Sequence, residues 1–275
     1  MHNYKINRGL SMVELLVALA LSSFLLLGVT TIFLENKRGY VFQQNQSENI
    51  EASRFAAMLL QDQFAKAGYR RRPDVPHDQA FPASNALGCD FSAGETAKPF
   101  TNARDAVCMR YQPRTHADRD CLGNLPVNIA TLDDGPYIEG NEVVVQRFYL
   151  DNSILKCEVT HIAPTVRAPE TGDLLTGVAD LWFEYGTGTT ASPQLLNEYT
   201  VDPSGPVIAV RYAALLRSTN PAQRDGLDAD AALEKWRSLT GLTTASPVYQ
   251  AIKATDDGQI YQISQSAIML RNLMP

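Results

Sequence analysis

One uncharged stretch near the N-terminus constrains this chain more than any other feature. From Leu15 to Leu34 no side chain carries a charge, and most side chains are apolar. A run of about 20 residues spans roughly 30 Å as an α-helix, which is the thickness of the hydrocarbon layer of a membrane. The sequence therefore predicts one membrane-spanning helix near the N-terminus.

The residues before this run distinguish it from an ordinary secretory signal. Lys5 and Arg8 form a basic stub, Gly9 follows, and a lone acid, Glu14, lies at the mouth of the run. A secretory signal places its small-residue cleavage site after the apolar core, whereas here the small residue comes before it. Cleavage at Gly9 would leave the apolar helix on the mature protein.

The segment 9–15 (GLSMVEL) resembles the type IV prepilin cleavage motif: a glycine, a hydrophobic first residue, and a glutamate as the fifth residue of the processed chain. The resemblance implies that prepilin peptidase cuts between Gly9 and Leu10 on the cytoplasmic side and then N-methylates the new amine of Leu10. Phenylalanine is commoner than leucine at that first position. The resemblance also implies that Glu14 is the assembly charge, paired with the N-terminal amine of an adjacent subunit.

Segments in the body of the chain resemble the PilW family of minor pilins. Three of them, 177–186, 210–218 and 267–272, resemble strands of that family, and 120–123 and 155–157 also match. The resemblance runs in order from the leader to the C-terminus. The J-type pseudopilin of type II secretion systems shares the same general plan and is the relative most easily confused with it.

The expected fold is α+β and pilin-like, with a long N-terminal helix packed on a mainly antiparallel β-sheet domain. We expect a prepilin leader at 1–9, the transmembrane half of the helix at 10–38, and its amphipathic half at 39–69. A β-rich globular domain would occupy 70–275, with a helical insertion near 228–239 that ends at Gly241. Proline-rich residues 70–104 predict irregular structure.

The second half of the long helix is predicted from a face of apolar side chains. They recur at spacings of three, four and seven residues, the pattern of an amphipathic helix: Ile50, Ala57, Leu60, Phe64 and Ala67. We expect one helix from about Ser11 to Ala67 with Gly68 as its C-cap. The alternative is two helices broken near Gly39.

About seven to nine strands are expected after residue 105. The candidate segments are Ala106–Gln112, Glu142–Leu150, Ile154–Thr160, Ala179–Tyr185, Val207–Leu216, Gly258–Ile263 and Ala267–Leu273. The second and third of these flank Asp151-Asn152-Ser153, which is typical of a hairpin turn. Their spacing favours an antiparallel sheet.

Four cysteines in an exported domain favour disulfides. Four cysteines allow three connectivities; we favour Cys89–Cys108, which closes a local loop of about 20 residues, and Cys121–Cys157. The sequence has no C-x-x-C pair, and its histidines are scattered, which argues against a zinc site.

An acidic group near the helical insertion raises the question of calcium. Asp225, Asp228 and Asp230 could suggest it, but they do not match the spaced oxygen-ligand loop with its distal glutamate. The alternative to calcium binding is that these aspartates cap a helix. We therefore expect no metal.

The overall charge argues against nucleic acid as a direct ligand. The formal net charge is −6, and an acidic protein lacks the general attraction to phosphate on which such binding depends. We interpret the basic triplet at 70–72 as a solvated helix end. The sequence also has no nucleophile elbow and no phosphate-binding glycine loop, so we expect neither an enzyme nor a cofactor.

The family resemblance implies a minor pilin that primes assembly of a type IV pilus and supports adhesion and twitching motility. The basic residues before the span place the N-terminus in the cytoplasm and the ectodomain in the periplasm, with later transfer from the inner membrane to the pilus. Implied partners are prepilin peptidase, the inner-membrane assembly platform, other minor pilins, the major pilin and a large pilus-tip adhesin.

Two alternatives remain open at this point. A J-type pseudopilin would undergo the same processing but have different partners. A signal-anchored periplasmic binding protein or enzyme would keep an uncut N-terminus, or be cut after the apolar run, and would contain a functional cleft.

Overall fold

The architecture is α+β, as expected: one long helix lies against two antiparallel sheets. The computed structural model describes residues 11–101, 103–127, 137, 142–162, 166–188, 192, 195–221, 224 and 228–273. The helices are α1 (Met12–Phe64), α2 (His77–Ala80), α3 (Ala229–Ala232), α4 (Glu234–Thr240) and α5 (Pro247–Ala254), followed by a 3₁₀ turn at Arg271–Leu273. The strands are β1 (Ser84–Ala86), β2 (Cys89–Phe91), β3 (Ala97–Phe100), β4 (Ala103–Tyr111), β5 (Val143–Asp151), β6 (Ile154–Ile162), β7 (Glu170–Thr176), β8 (Val178–Thr187), β9 (Glu198–Thr200), β10 (Val207–Arg217) and β11 (Tyr261–Met269).

The end of α1 is enclosed by both sheets. One sheet has the strand order β3-β4-β5-β6-β7 and the other β11-β10-β8-β9, while β1 and β2 form a separate pair. Helix α1 packs on β11 and β10. The fully buried Phe64 ring lies 5.6 Å from that of Phe148 in the first sheet and 6.3 Å from that of Phe183 in the second. The hydrophobic core therefore forms around the last turns of the helix.

The predicted single helix is confirmed, and the alternative of a break near Gly39 is wrong. Helix α1 is continuous over 53 residues. It ends at Phe64 rather than at Ala67, and the side chain of Asn272 donates to the carbonyls of Ala65 (2.9 Å) and Ala67 (3.2 Å) just beyond that end. Gly68 follows one turn later with φ +71°, where an added Cβ would collide with the Leu273 side chain.

The predicted buried face of α1 needs a correction. Ile50 is exposed and Ala57 is half-buried. Leu60, Phe64 and Ala67 are buried as predicted. The full set of buried positions within the helix is Asn45, Asn49, Ala56, Leu60, Gln63 and Phe64. Three of these six are polar, so apolar periodicity alone missed part of the buried face.

Most of the predicted strands are present, with ends shifted by a few residues. The segments Gly258–Ile263 and Ala267–Leu273 are wrong as separate strands, because β11 runs through both. Its polar residue Ser264 is buried and faces α1, where its hydroxyl donates to the carbonyl of Ser53 at 3.4 Å. The β5–β6 hairpin turns at Asn152 and Ser153, both with positive φ, as expected for a tight turn.

Several elements were not predicted. Residues 70–104 contain β1, β2, β3 and α2 in addition to irregular chain, and β7 and β9 lie in segments that gave no strand signal. The helical insertion is α3 and α4, divided at Leu233, and it is followed by α5. Gly241 ends α4 with φ +69°, as predicted.

Two disulfides fix loops to the first sheet, and they join the pairs that the sequence favoured. Cys89 in β2 is bonded to Cys108 in β4, with 6.0 Å between their Cα atoms. Cys121 is bonded to Cys157 in β6, with 6.4 Å between their Cα atoms. Each closes a loop whose restriction in the unfolded chain is worth about 3–4 kcal/mol.

A buried cation, Arg110, organises the irregular segment that precedes β3. Arg110 in β4 is 1% exposed. Its guanidinium donates to four backbone carbonyls at 2.6–3.1 Å: those of Phe81, Pro82, Ser92 and Glu95. It also lies against the rings of Phe81 and Phe91. Burial lowers the pKa of Arg110 to about 10, so the side chain is charged at neutral pH.

Arg71 is fixed in a similar way, which corrects the expected solvated helix end at 70–72. Arg71 is 1% exposed and donates to the carbonyls of Pro113 and Arg114 at 3.1 and 2.7 Å. Backbone carbonyls that follow no regular ladder need donors, and these two arginines supply them.

A carboxylate–imidazole–carboxylate cluster holds the loop around the second disulfide. His161 Nδ1 lies 2.6 Å from Glu142 Oε1, and His161 Nε2 lies 3.3 Å from Asp120 Oδ2; all three residues are buried. Asp120 also accepts from the backbone N–H groups of Leu122 and Asn124. Burial alone would lower the pKa of His161, but its hydrogen bonds to the two carboxylates outweigh burial and raise the pKa above its ordinary value.

The Arg110 arrangement can be tested by unfolding. We expect Arg110→Leu to lower the free energy of unfolding by at least about 3 kcal/mol, because it leaves several buried carbonyls without a donor. Urea unfolding of the full chain in detergent, followed by tryptophan fluorescence, measures this. Arg114→Leu is the control: its side chain is 60% exposed beside Asp118, so its loss should cost less than about 1 kcal/mol. Equal effects of the two changes would contradict the assignment.

The cluster at His161 predicts how stability depends on pH. A raised pKa in the folded state stabilises the fold fully below the ordinary value near 6.5, and this contribution is lost as the pH rises through the folded-state pKa. The difference in unfolding free energy between the wild type and His161→Gln should therefore shrink as the pH rises from about 6.5 through the folded-state pKa. Glu142→Gln should move that loss to lower pH. A difference that does not change with pH would show that folding does not shift the pKa of the imidazole.

Candidate assembly site

Helix α1 begins with a capping box that contains Glu14. Ser11 is the N-cap, and its hydroxyl accepts from the backbone N–H of Val13 at 3.4 Å. In return, Glu14 Oε2 accepts from the backbone N–H of Ser11 at 3.1 Å. This reciprocal pair satisfies two donors that a helix start leaves free. Gly9 and Leu10, the expected cleavage and methylation sites, lie outside the described residues.

The capping role of Glu14 was not predicted, although the sequence contains the signature of a capping box. A serine followed three residues later by a glutamate, just before an apolar run, is the sequence signature of a capping box. Because Ser11 directly follows Leu10 in the chain, the carboxylate is held next to the position where the new amine would arise. The structure thus adds an intramolecular contact to a residue that the family resemblance implicated in contacts between subunits.

The apolar first half of α1 contacts no other part of the described structure. Among the described residues, α1 is the single helix long and apolar enough to cross a membrane, and its most apolar window is 0% buried. Its hydroxyl residues bond to carbonyls of their own helix three or four residues earlier, at 2.7–2.9 Å: Ser22, Ser23, Thr30 and Thr31. Such internal pairing is what an apolar solvent requires of polar groups.

Helix α1 joins the globular domain through a pair of buried asparagines. Asn45 accepts a hydrogen bond from Asn220 at 2.8 Å, and Asn49 donates to the carbonyl of Ile260 at 3.1 Å. Asn45 is the first buried residue of the helix. The residues before it, 12–44, form an arm of about 50 Å at 1.5 Å per residue.

The second half of α1 also carries exposed apolar side chains on the faces that turn away from the sheets. Tyr40 and Phe42 precede the asparagines, and Phe55 and Met58 lie within the packed part, where they are 47% and 73% exposed. One helix therefore has a face in the core of its own domain and a second apolar surface that no described residue covers.

The acidic group near the helical insertion serves the protein's own structure. Asp228 accepts from the backbone N–H of Ala231 at 2.8 Å and caps α3. Asp230 lies 2.8 Å from Lys253 and accepts from the hydroxyl of Tyr249; the hydrogen bond from Lys253 lowers the pKa of Asp230. Asp225 lies outside the described residues. Within those residues, no group of three or more His, Cys, Asp or Glu side chains is arranged to hold a metal ion.

One short segment of this chain matches a known family model. Residues 4–30 match a family model described as the prokaryotic N-terminal methylation motif. Among solved structures, a type IV-like pilin from Thermus thermophilus is 15% identical over 82% of this chain and 97% of its own, with a TM-score of 0.46. No curated protein matches the chain.

The matched motif coincides with the helix start described above. It covers the basic stub, the capping box and most of the apolar run. The motif and the exposed apolar half of α1 together support membrane anchoring through this helix. The chain thus carries a prokaryotic N-terminal methylation motif at the head of a long helix whose second half is built into an α+β domain.

Proposed function

We propose that this protein is a minor pilin: an inner-membrane precursor that is cut after Gly9, methylated at Leu10, and incorporated into a type IV pilus, where it primes assembly. The observation that carries the proposal is the methylation motif placed on a continuous helix whose first half is wholly exposed. A motif of this kind keeps its apolar helix after processing, and an exposed apolar helix needs a bilayer or other helices around it.

The physical argument for assembly starts from the exposed first half of α1. Full burial of one leucine, valine or phenylalanine side chain is worth about 1.5–3 kcal/mol, and this segment exposes more than a dozen of them. The helix cannot enter water, so it leaves the bilayer only when neighbouring helices cover it. A filament with α1 helices at its centre meets that condition, and the second apolar surface at Phe55 and Met58 extends the contact beyond the membrane.

Glu14 places a carboxylate within that apolar contact, and this group needs a polar partner. A carboxylate inside a bilayer costs roughly 2.5–3.5 kcal/mol on insertion scales, and such groups are usually paired. In the filament its partner would be the Leu10 amine of an adjacent subunit. The globular domain would supply the contacts that select other minor pilins, the major pilin and a tip adhesin.

A second candidate, the J-type pseudopilin of a type II secretion system, is favoured by the same motif, because it is processed in the same way. The two differ in their partners rather than in the geometry of α1. Affinity purification of the full chain from membranes, followed by mass spectrometry of the proteins recovered, separates them. Recovery of secretion-system pseudopilins without pilus subunits would replace the first proposal.

Processing after Gly9 is the first expected outcome. Intact-mass measurement of the purified protein should show a chain that begins at Leu10 and carries one added methyl group. Gly9→Leu should leave full-length precursor in the inner membrane, because a side chain at this position blocks the cut. Gly28→Leu is the matched control within the same helix, where no atom lies within 4 Å of an added Cβ; it should be processed normally. Normal processing of Gly9→Leu would refute the assignment.

The charge of Glu14 can be separated from its capping role. Glu14→Gln keeps an acceptor for the Ser11 N–H, since glutamine also completes a capping box, but it removes the charge. We expect this variant to insert and fold normally and to be depleted at least tenfold in sheared pili relative to membranes. Ser11→Ala removes the cap and keeps the charge, and should assemble at near-normal levels. Recovery of Glu14→Gln in pili at the level of the wild type would show that the charge of Glu14 has no role in assembly.

A further inference from the structure

We propose that a groove at the junction of the two sheets and α5 binds a carboxylate that carries an apolar body, with the guanidinium groups of Arg217 and Arg104 as its anion-binding side. The groove has a volume of about 520 Å³, within the range of ligand sites. It is lined by the start of β4, the β5–β6 turn, the start of β8, the end of β10 and α5.

Arg217 supplies a positive charge at this groove, and among the described residues no acid forms an ion pair with it. Its guanidinium donates to Thr255 Oγ1 at 2.9 Å, to the Thr255 carbonyl at 3.3 Å and to Ser153 Oγ at 3.4 Å. All of these acceptors are uncharged, and no carboxylate in the described part of the chain lies within salt-bridge distance of it. A half-buried guanidinium held only by neutral groups retains donors and charge for an anion.

Arg104 adds a second guanidinium with unused donors. Its Nη2 donates to both carboxylate oxygens of Asp180 at 2.8 and 2.7 Å, and its Cζ lies 4.9 Å from the centroid of the Trp182 ring. Its Nη1 is buried and has no hydrogen-bond partner within the described residues. Buried donors without acceptors are rare in folded proteins. The atom is closed to solvent, so an acceptor in the groove reaches it only with a small shift of the neighbouring side chains.

The remaining walls determine what kind of anion fits. Leu150, Val248 and Ile252 give the groove a largely apolar lining, which favours an organic acid over an inorganic ion. Asp105 also lines the groove, and among the described residues it has no partner for a side-chain hydrogen bond or ion pair. Its negative charge weakens the binding of any anion. The ligand class that satisfies both arginines and the apolar walls is a monocarboxylate with a short hydrocarbon body.

The tryptophans provide a direct reporter for this site. The chain has two. Trp182 lies over Arg104, and Trp236 donates from its indole nitrogen to Asp180 at 2.9 Å. Both rings therefore contact the Arg104–Asp180 pair, and their emission should respond to occupation of the groove.

The test uses the full chain in detergent micelles, titrated with butyrate and, separately, with 1-butanol. We expect butyrate to change tryptophan emission saturably and butanol to leave it unchanged at the same concentrations. Arg217→Gln should raise the Kd about tenfold, since one charged hydrogen-bonding partner is lost. Asp105→Asn should lower the Kd. Arg211→Gln, on the same strand but paired with Glu184 at 2.6 Å, should leave it unchanged.

Three outcomes would overturn the proposal. The first is that tryptophan emission shows no saturable change with butyrate up to about 0.1 M. The second is that butyrate and butanol change the emission equally. The third is that Arg217→Gln and Arg211→Gln have equal effects on the Kd for butyrate. Unfolding curves of both variants establish that the fold is intact, and glutamine at 217 retains an amide donor for Ser153 or Thr255.

A peptide arm distinguishes a small acid from an acidic side chain of a protein partner. Acetyl-Leu-Glu-amide that binds more tightly than butyrate would identify a protein side chain as the ligand, and weaker binding would identify a free organic acid. Acetyl-Leu-Gln-amide is the neutral control. Equal binding of the two peptides would overturn the requirement for a carboxylate.

Discussion

The structure depends on one helix that serves two different surroundings. The first half of α1 exposes its apolar side chains, whereas the last turns place Phe64 between Phe148 and Phe183 of the two sheets. Because the helix is continuous over 53 residues, no loop separates the domain from the segment that would lie in the membrane.

Polar contacts determine how far α1 enters the domain. Asn45 and Asn49 bond to Asn220 and to the carbonyl of Ile260, and Gln63 accepts from Gln146 at 3.2 Å. Apolar packing tolerates small slides along a helix, whereas buried hydrogen bonds have strict distances and are costly when broken. The polar residues at both ends of the buried face thus fix the register that the apolar residues between them would leave loose.

The long helix and most strands could be predicted, because their signals are local: absence of proline, uncharged length, and period-two apolar alternation. Helix α5 had a local signal that was missed, a serine followed by Pro247 at its start. The continuous β11 could not be found from apolar runs, since Ser264 is polar and still buried. The groove beside Arg217 was also beyond prediction, because its walls come from segments far apart in the chain.

The observed cap at Glu14 and the proposed contact with a neighbouring subunit differ in what they can stabilise. A helix cap contributes about 1 kcal/mol, while a carboxylate in a bilayer costs roughly 2.5–3.5 kcal/mol. The capping box therefore positions the carboxylate, but its contribution is smaller than the cost of placing the charge in the bilayer. A precursor can keep Glu14 near the headgroups, where water solvates it. In a filament, no water would solvate Glu14. The cost of the unpaired carboxylate would then favour those arrangements of neighbouring helices that bring a cation to the same helix end. Glu14 would then determine the register between neighbouring helices, and it would not add net attraction between them.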